Sequence, residues 1–134
     1  MSLETEGKQD SRLLSLAANL TGTGPQTAAD VRGLDGTQEV EVVAVGTIAA
    51  QAVTFTFEGS MDNTNFYQAG YSRIDAQATV TRAVGSTTLT PGAGTIREVF
   101  TINDKYRYLR INVSANTLSG GGAGITANLF AEPI

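Results

Sequence analysis

Five carboxylates are the first candidates for chemistry in this chain: Glu58, Asp62, Asp75, Glu98 and Asp104. Two of them held about 5–10 Å apart could divide acid and base work, as glycoside hydrolysis requires. No spacing in the sequence pairs them, and such side chains mostly sit on turns and solvent faces. A serine nucleophile needs a base, and with no His the amines available are Lys8 and Lys105; a solvated amine in a turn stays protonated at neutral pH. The absence of Cys removes thiolate nucleophiles, disulfides and Cys-ligated metals. The expectation is a protein that is not an enzyme and has no catalytic residues.

Metal and phosphate sites fare no better. Asp62-Asn63-Thr64-Asn65 offers oxygen ligands of the kind calcium takes, but neither the Gly at the sixth position nor the Glu at the twelfth of an EF-hand follows. A turn in which short polar side chains bond their own backbone accounts for it. Gly92-Ala93-Gly94 and Gly120-Gly121-Gly122-Ala123-Gly124 lack the Lys-Ser/Thr ending and the following helix of a phosphate loop, so they read as loop tips. No cofactor and no metal is expected. The sequons at Asn19 and Asn112 match a glycosylation acceptor by three residues only, and Asn112 falls inside an apparent strand. Tyr67, Tyr71, Tyr106 and Tyr108 are the aromatic platforms a sugar could use.

The elements that carry these residues follow from composition and periodicity. The 134 residues make one small domain, 41% hydrophobic, with 15 Gly against 3 Pro and many Thr, Ala and Val, the balance of a β protein with tight turns. A net charge of −4 argues against a nucleic-acid partner. No run of about 18 apolar residues predicts a membrane span, and residues 1–10 are too polar and acidic for a signal peptide.

The chain divides near residue 36 into an N-terminal arm and linker, 1–36, and a sandwich domain, 37–134. In the arm, Asp10 or Ser11 caps a predicted short helix whose apolar side is Leu13, Leu14, Leu16, Ala17 and Leu20, ended by Gly22. At about 11 residues it is too short to hold alone in water, so it must dock or stay partly melted: either it folds back on its own sandwich as a covering helix, or Leu13, Leu14, Leu16 and Leu20 form an interface by docking on a neighbouring subunit. From Thr37 the period changes to two. Val40, Val42 and Ala44 share a face, as do Val53, Phe55 and Phe57 in a predicted hairpin over 53–69, and Leu109, Ile111 and Val113 opposite Tyr106, Tyr108, Arg110 and Asn112. Short, weaker strands are read at 73–76 and 78–81, then a loop over 85–94 interrupted by 87–89, then a strand over 97–102, and a last hairpin joins Leu118 through the glycines to a strand over 125–130. Seven or eight strands about ten residues apart, with no long helix between them, predict an all-β fold, an antiparallel β-sandwich of jelly-roll-like type with a helical arm.

The run Phe55-Thr56-Phe57-Glu58-Gly59-Ser60-Met61-Asp62-Asn63-Thr64-Asn65-Phe66-Tyr67-Gln68-Ala69, followed later by Tyr106-Arg107-Tyr108-Leu109-Arg110, resembles a pattern in small sandwich proteins of tailed-phage virions. Those carry Glu-Gly-Ser-x-Asp-Gly-Thr-x-aromatic and then Tyr-Arg-Tyr-Leu-Arg; here Asn63 replaces the Gly and Phe66 stands where Trp is frequent. The resemblance covers about residues 53–132. It implies a capsid decoration, or cement, protein: a virion component on the head surface, with the phage major capsid protein as partner and a dimer or trimer as its own state. The same pattern occurs in tail and baseplate modules and resembles discoidin-like carbohydrate-binding modules, so the alternative is a carbohydrate-binding or receptor-binding module of a tail.

Overall fold

The computed structural model describes residues 12–32, 34–74 and 80–133. The strands in chain order are β1 (Arg12–Leu20), β2 (Gly24–Pro25), β3 (Ala29–Asp30), β4 (Leu34–Val45), β5 (Val53–Ser60), β6 (Tyr67–Gln68), β7 (Tyr71–Ile74), β8 (Val80–Ala83), β9 (Thr87–Leu89), β10 (Thr95–Ile102), β11 (Tyr108–Asn116) and β12 (Gly124–Pro133). One sheet runs β1-β12-β4-β10-β7-β8. The other has β11 and β5 at its centre, with β2 and β3 on the free side of β11 and β6 and β9 on the free side of β5. Every pairing is antiparallel.

Alternation places the core. Val40, Val42 and Ala44 of β4, Ile125, Ala127 and Leu129 of β12 and Phe100 of β10 are fully buried on the inner face of the first sheet. They meet Val53, Phe55 and Phe57 of β5 and Leu109, Ile111 and Val113 of β11. Phe55, Phe57, Tyr71 and Phe100 join the two sheets through ring contacts of 5.3–5.8 Å between centroids, most of them edge to face, the arrangement the ring quadrupole favours.

No helix forms in the described part of the N-terminal segment: residues 12–20, where a helix is expected, are strand β1. Its ladder with β12 pairs Leu13 with Phe130 and Leu14 with Leu129, then shifts register between Ser15 and Ala17 and again between Ala17 and Leu20, where Asn19 is left-handed at φ 47°. The bulges let consecutive Leu16 and Ala17 both turn inward, which breaks the period of two and imitates helical spacing. Pairing with β12 supplies backbone partners that a short isolated helix lacks. β2 and β3 then bind β11, so residues on both sides of position 36 share the two sheets. The predicted 53–69 hairpin is present as β5–β6. The last predicted hairpin is not: β11 and β12 lie in different sheets, and residues 117–123 cross from one to the other. Part of the predicted 73–81 region, including Asp75, lies outside the described residues.

Candidate interaction surfaces

The two segments that carry the phage-like pattern meet directly. β5 and β11 pair with Tyr108 opposite Ser60, Leu109 opposite Gly59 and Arg110 opposite Glu58. Arg110 Nε donates to Glu58 Oε1 at 2.8 Å, and Asn112 Nδ2 donates to Glu58 Oε2 at 3.2 Å. The Arg110 guanidinium also lies 3.7 Å from the centroid of the Phe66 ring. Gly59 has to be glycine, because a Cβ there would enter the Tyr106 ring. Ser60, fully buried, accepts the backbone N–H groups of Asp62 and Asn63 through its hydroxyl and donates to Asp62 Oδ1.

Asp62 finishes this corner. Its Oδ1 accepts the N–H of Thr64 at 2.9 Å and of Asn65 at 2.8 Å, and its Oδ2 accepts the Asn65 side-chain amide at 2.8 Å. Those donors, the backbone ones first, hold the carboxyl far below the ordinary carboxylate range. Asn63 takes φ 61°, the left-handed turn position where the pattern has Gly. Both carboxylate oxygens thus accept hydrogen bonds within the turn.

Among the described residues, the other predicted carboxylates hold separate partners. Glu98 pairs with Arg73 at 3.4 Å, and Asp104 Oδ2 accepts the Gly70 N–H at 2.8 Å. Among the described residues there is no group of three acidic, His or Cys side chains that could hold a metal ion. Lys8, like Asp75, lies outside the described residues; Lys105 sits in the turn before β11.

The tyrosines separate. Tyr71 is core, and Tyr106 packs against the core over Gly59, where burial and then the Asp104 charge push its hydroxyl pKa up. Tyr108 has Arg32 above its ring at 5.3 Å, while Tyr67 is 64% exposed. Of the four leucines expected at an interface, Leu16 is buried, Leu14 and Leu20 are partly buried against the core, and Leu13 alone is exposed, at 59%. Both sequon asparagines lie in strands: Asn112 bonds Glu58, and the Asn19 N–H donates to Thr126.

Sequence reading missed the outer face of the first sheet, because strand order and register create it. One row across six strands reads Leu13, Phe130, Glu39, Thr101, Ser72, Arg82. Phe130 is 38% exposed and Val99, on the neighbouring row, 49%. A shallow concavity of about 490 Å³ lies at the Arg82 side of this face, lined by Ser72, Arg73, Arg82, Arg97, Glu98 and Val99 among others. The alternating outward residues of β10 gave the only sequence signal for it.

No protein-family model and no curated protein matches the chain. Among solved structures it is similar to the crystal structure of the SPBc2 prophage-derived protein YomS, at 10% sequence identity and a TM-score of 0.46, over 95% of this chain and 96% of that one.

Proposed function

We propose that this chain is a structural virion protein of a tailed phage, a decoration protein that binds the outside of an assembled head and stabilises the lattice of the major capsid protein. The observation that carries the reading is the β5–β11 corner: the residues that resemble the virion pattern form one scaffold, with Gly59 beneath Tyr106 and Arg110 between Glu58 and Phe66. The polar groups of this corner hold the sandwich together, and exposed apolar side chains elsewhere, Leu13, Ile48, Val99 and Phe130 among them, are available to other molecules. A protein that binds only the assembled lattice stabilises it by mass action, and many copies on one shell act together.

The sugar-binding alternative draws less from the arrangement. Phe66 and Tyr108 already carry guanidinium groups over their rings, and Tyr71 and Tyr106 pack with the core, which leaves Tyr67 as the exposed one of the four tyrosines. Co-sedimentation of the purified chain with separated heads and tails of the particle that contains it tests the reading. Pelleting with heads is expected; pelleting with tails alone, or binding on a glycan array, overturns it.

A further inference from the structure

Among the described residues, charge is segregated along the strand axis of the sandwich. The chain contains 9 Lys and Arg and 13 Asp and Glu, yet residues 13–29, 42–57, 83–96 and 111–131 contain none. Topology brings these four stretches together. Loops 21–23, 46–52, 90–94 and 117–123 all lie at one end, since Leu20 pairs with Ile125, Val45 with both Thr95 and Gly124, and Val53 with both Leu89 and Asn116. The opposite end carries Asp30, Arg32, Asp62, Asp104, Lys105 and Arg107.

The uncharged loops are tied to one another. Gln51, 8% exposed, accepts the Thr47 N–H at 2.8 Å through its side-chain oxygen and donates to Ser119 Oγ at 2.8 Å. Thr47 Oγ1 donates to the Ser119 carbonyl, the Gly46 N–H to the Gly94 carbonyl, and the Gly92 N–H to the Gln51 carbonyl. Asn116 Nδ2 reaches the carbonyls of Leu20 and Gly22. On this fixed platform Ile48 stands 64% exposed, and Ala50 beside it is held at φ 71°, a conformation rare for a residue with a side chain.

From this we propose that the uncharged loop end is the surface that docks on the capsid lattice, with Ile48 as the central contact, so that the charged end points into solvent. The inference rests on the decoration reading and adds the orientation of the molecule. The occupant is an uncharged protein surface. Charged residues are depleted at the centre of protein interfaces because desolvating them is costly, and this is the end that loses no ionic hydration on contact. Loops already fixed in one arrangement also lose little freedom on binding.

The test is binding of the full chain to heads, with wild type and three variants compared at low and high salt. Ile48→Asp and Gly121→Glu introduce a charge at positions where the fold tolerates one: Ile48 is exposed, and a Cβ on Gly121 meets open space. Each is expected to weaken binding by about tenfold or more with an unchanged melting curve, whereas Arg107→Glu at the far end leaves it within about twofold. Wild-type affinity is expected to change little between about 0.05 and 0.5 M NaCl, since no ion pair forms at the contact. Wild-type binding that survives both loop variants, or that is lost on Arg107→Glu or in high salt, overturns the orientation and leaves the decoration reading standing. No wild-type binding to heads overturns both. A wild-type chain that is oligomeric in sedimentation velocity and becomes monomeric on Ile48→Asp assigns this end to a second copy and also overturns the inference.

Discussion

The two ends of the sandwich solve the same problem, fastening loops to strand ends, with different chemistry. The charged end uses ionised groups: Asp62 gathers the N–H groups of its own turn, Asp104 holds Gly70, Arg32 pairs with Asp30, and nearby on β5 and β11 Arg110 pairs with Glu58. The uncharged end uses amides and hydroxyls, with Gln51, Asn116, Thr117 and Ser119 as the ties. Exposed ion pairs add little stability, so folding alone gives no reason to divide the chemistry this way. The division matters for what each end can touch, because neutral hydrogen bonds turned inward leave a surface that another protein can dehydrate cheaply.

Substitutions at the two ends sharpen this contrast. The largest effect is expected at the charged end from Gly59→Ala, whose new methyl has no room beneath Tyr106; a loss of about 3 kcal/mol in urea denaturation is expected, with a smaller loss for Tyr106→Ala,Gly59→Ala together than the two single changes add up to. Gln51→Ala comes next. It strips the partners of the Thr47 N–H and Ser119 Oγ and is expected to cost about 2 kcal/mol, a value that salt leaves unchanged. Glu58→Ala removes the partner of Arg110 and Asn112 in a half-buried setting, for about 1 kcal/mol, and here added salt should shrink the difference from wild type. A salt response at Gln51, or none at Glu58, would break the comparison.

The smallest effect, and the one with a pH signature, is expected from Asp62→Ala. Because the folded turn lowers the Asp62 pKa, its contribution is fully present above the ordinary carboxylate value of about 4 and erodes as pH falls below that, until the folded carboxyl itself takes up a proton. Melting curves of wild type and variant should differ at pH 7 and converge as pH drops towards about 2, with no convergence between pH 7 and 5.

How far the sequence could be read depended on whether the information was local. Val40-Val42-Ala44, Val53-Phe55-Phe57 and Leu109-Ile111-Val113 announce their inner faces by strict alternation, and each is buried. β1 misled because two bulges in nine residues destroy that period, and Leu13, Leu16, Ala17 and Leu20 satisfy a helical spacing equally well. The turn at Asp62 was legible from its own short polar side chains. Its attachment to Tyr106 and Arg110 was not, since that depends on pairing residues about fifty positions apart. The uncharged stretches are visible in the sequence, but only the strand order places their loops at one end.

The pairing of β1 with β12 has a consequence for biogenesis. Arg12 lies opposite Ala131, so the first described strand of the chain finds its place only against one of the last. A ribosome releases residues from the N-terminus onward, and during that time Leu13, Leu14 and Leu16 have no ladder to join. The sheet therefore closes only once β12 has been made, through contacts remote in sequence of the kind that slow folding. The same proximity means that joining the strands' outer ends by a short linker and opening the chain in a surface loop, such as 117–123, would give a permuted protein whose β12 and β1 form a local hairpin and which folds faster than the natural order.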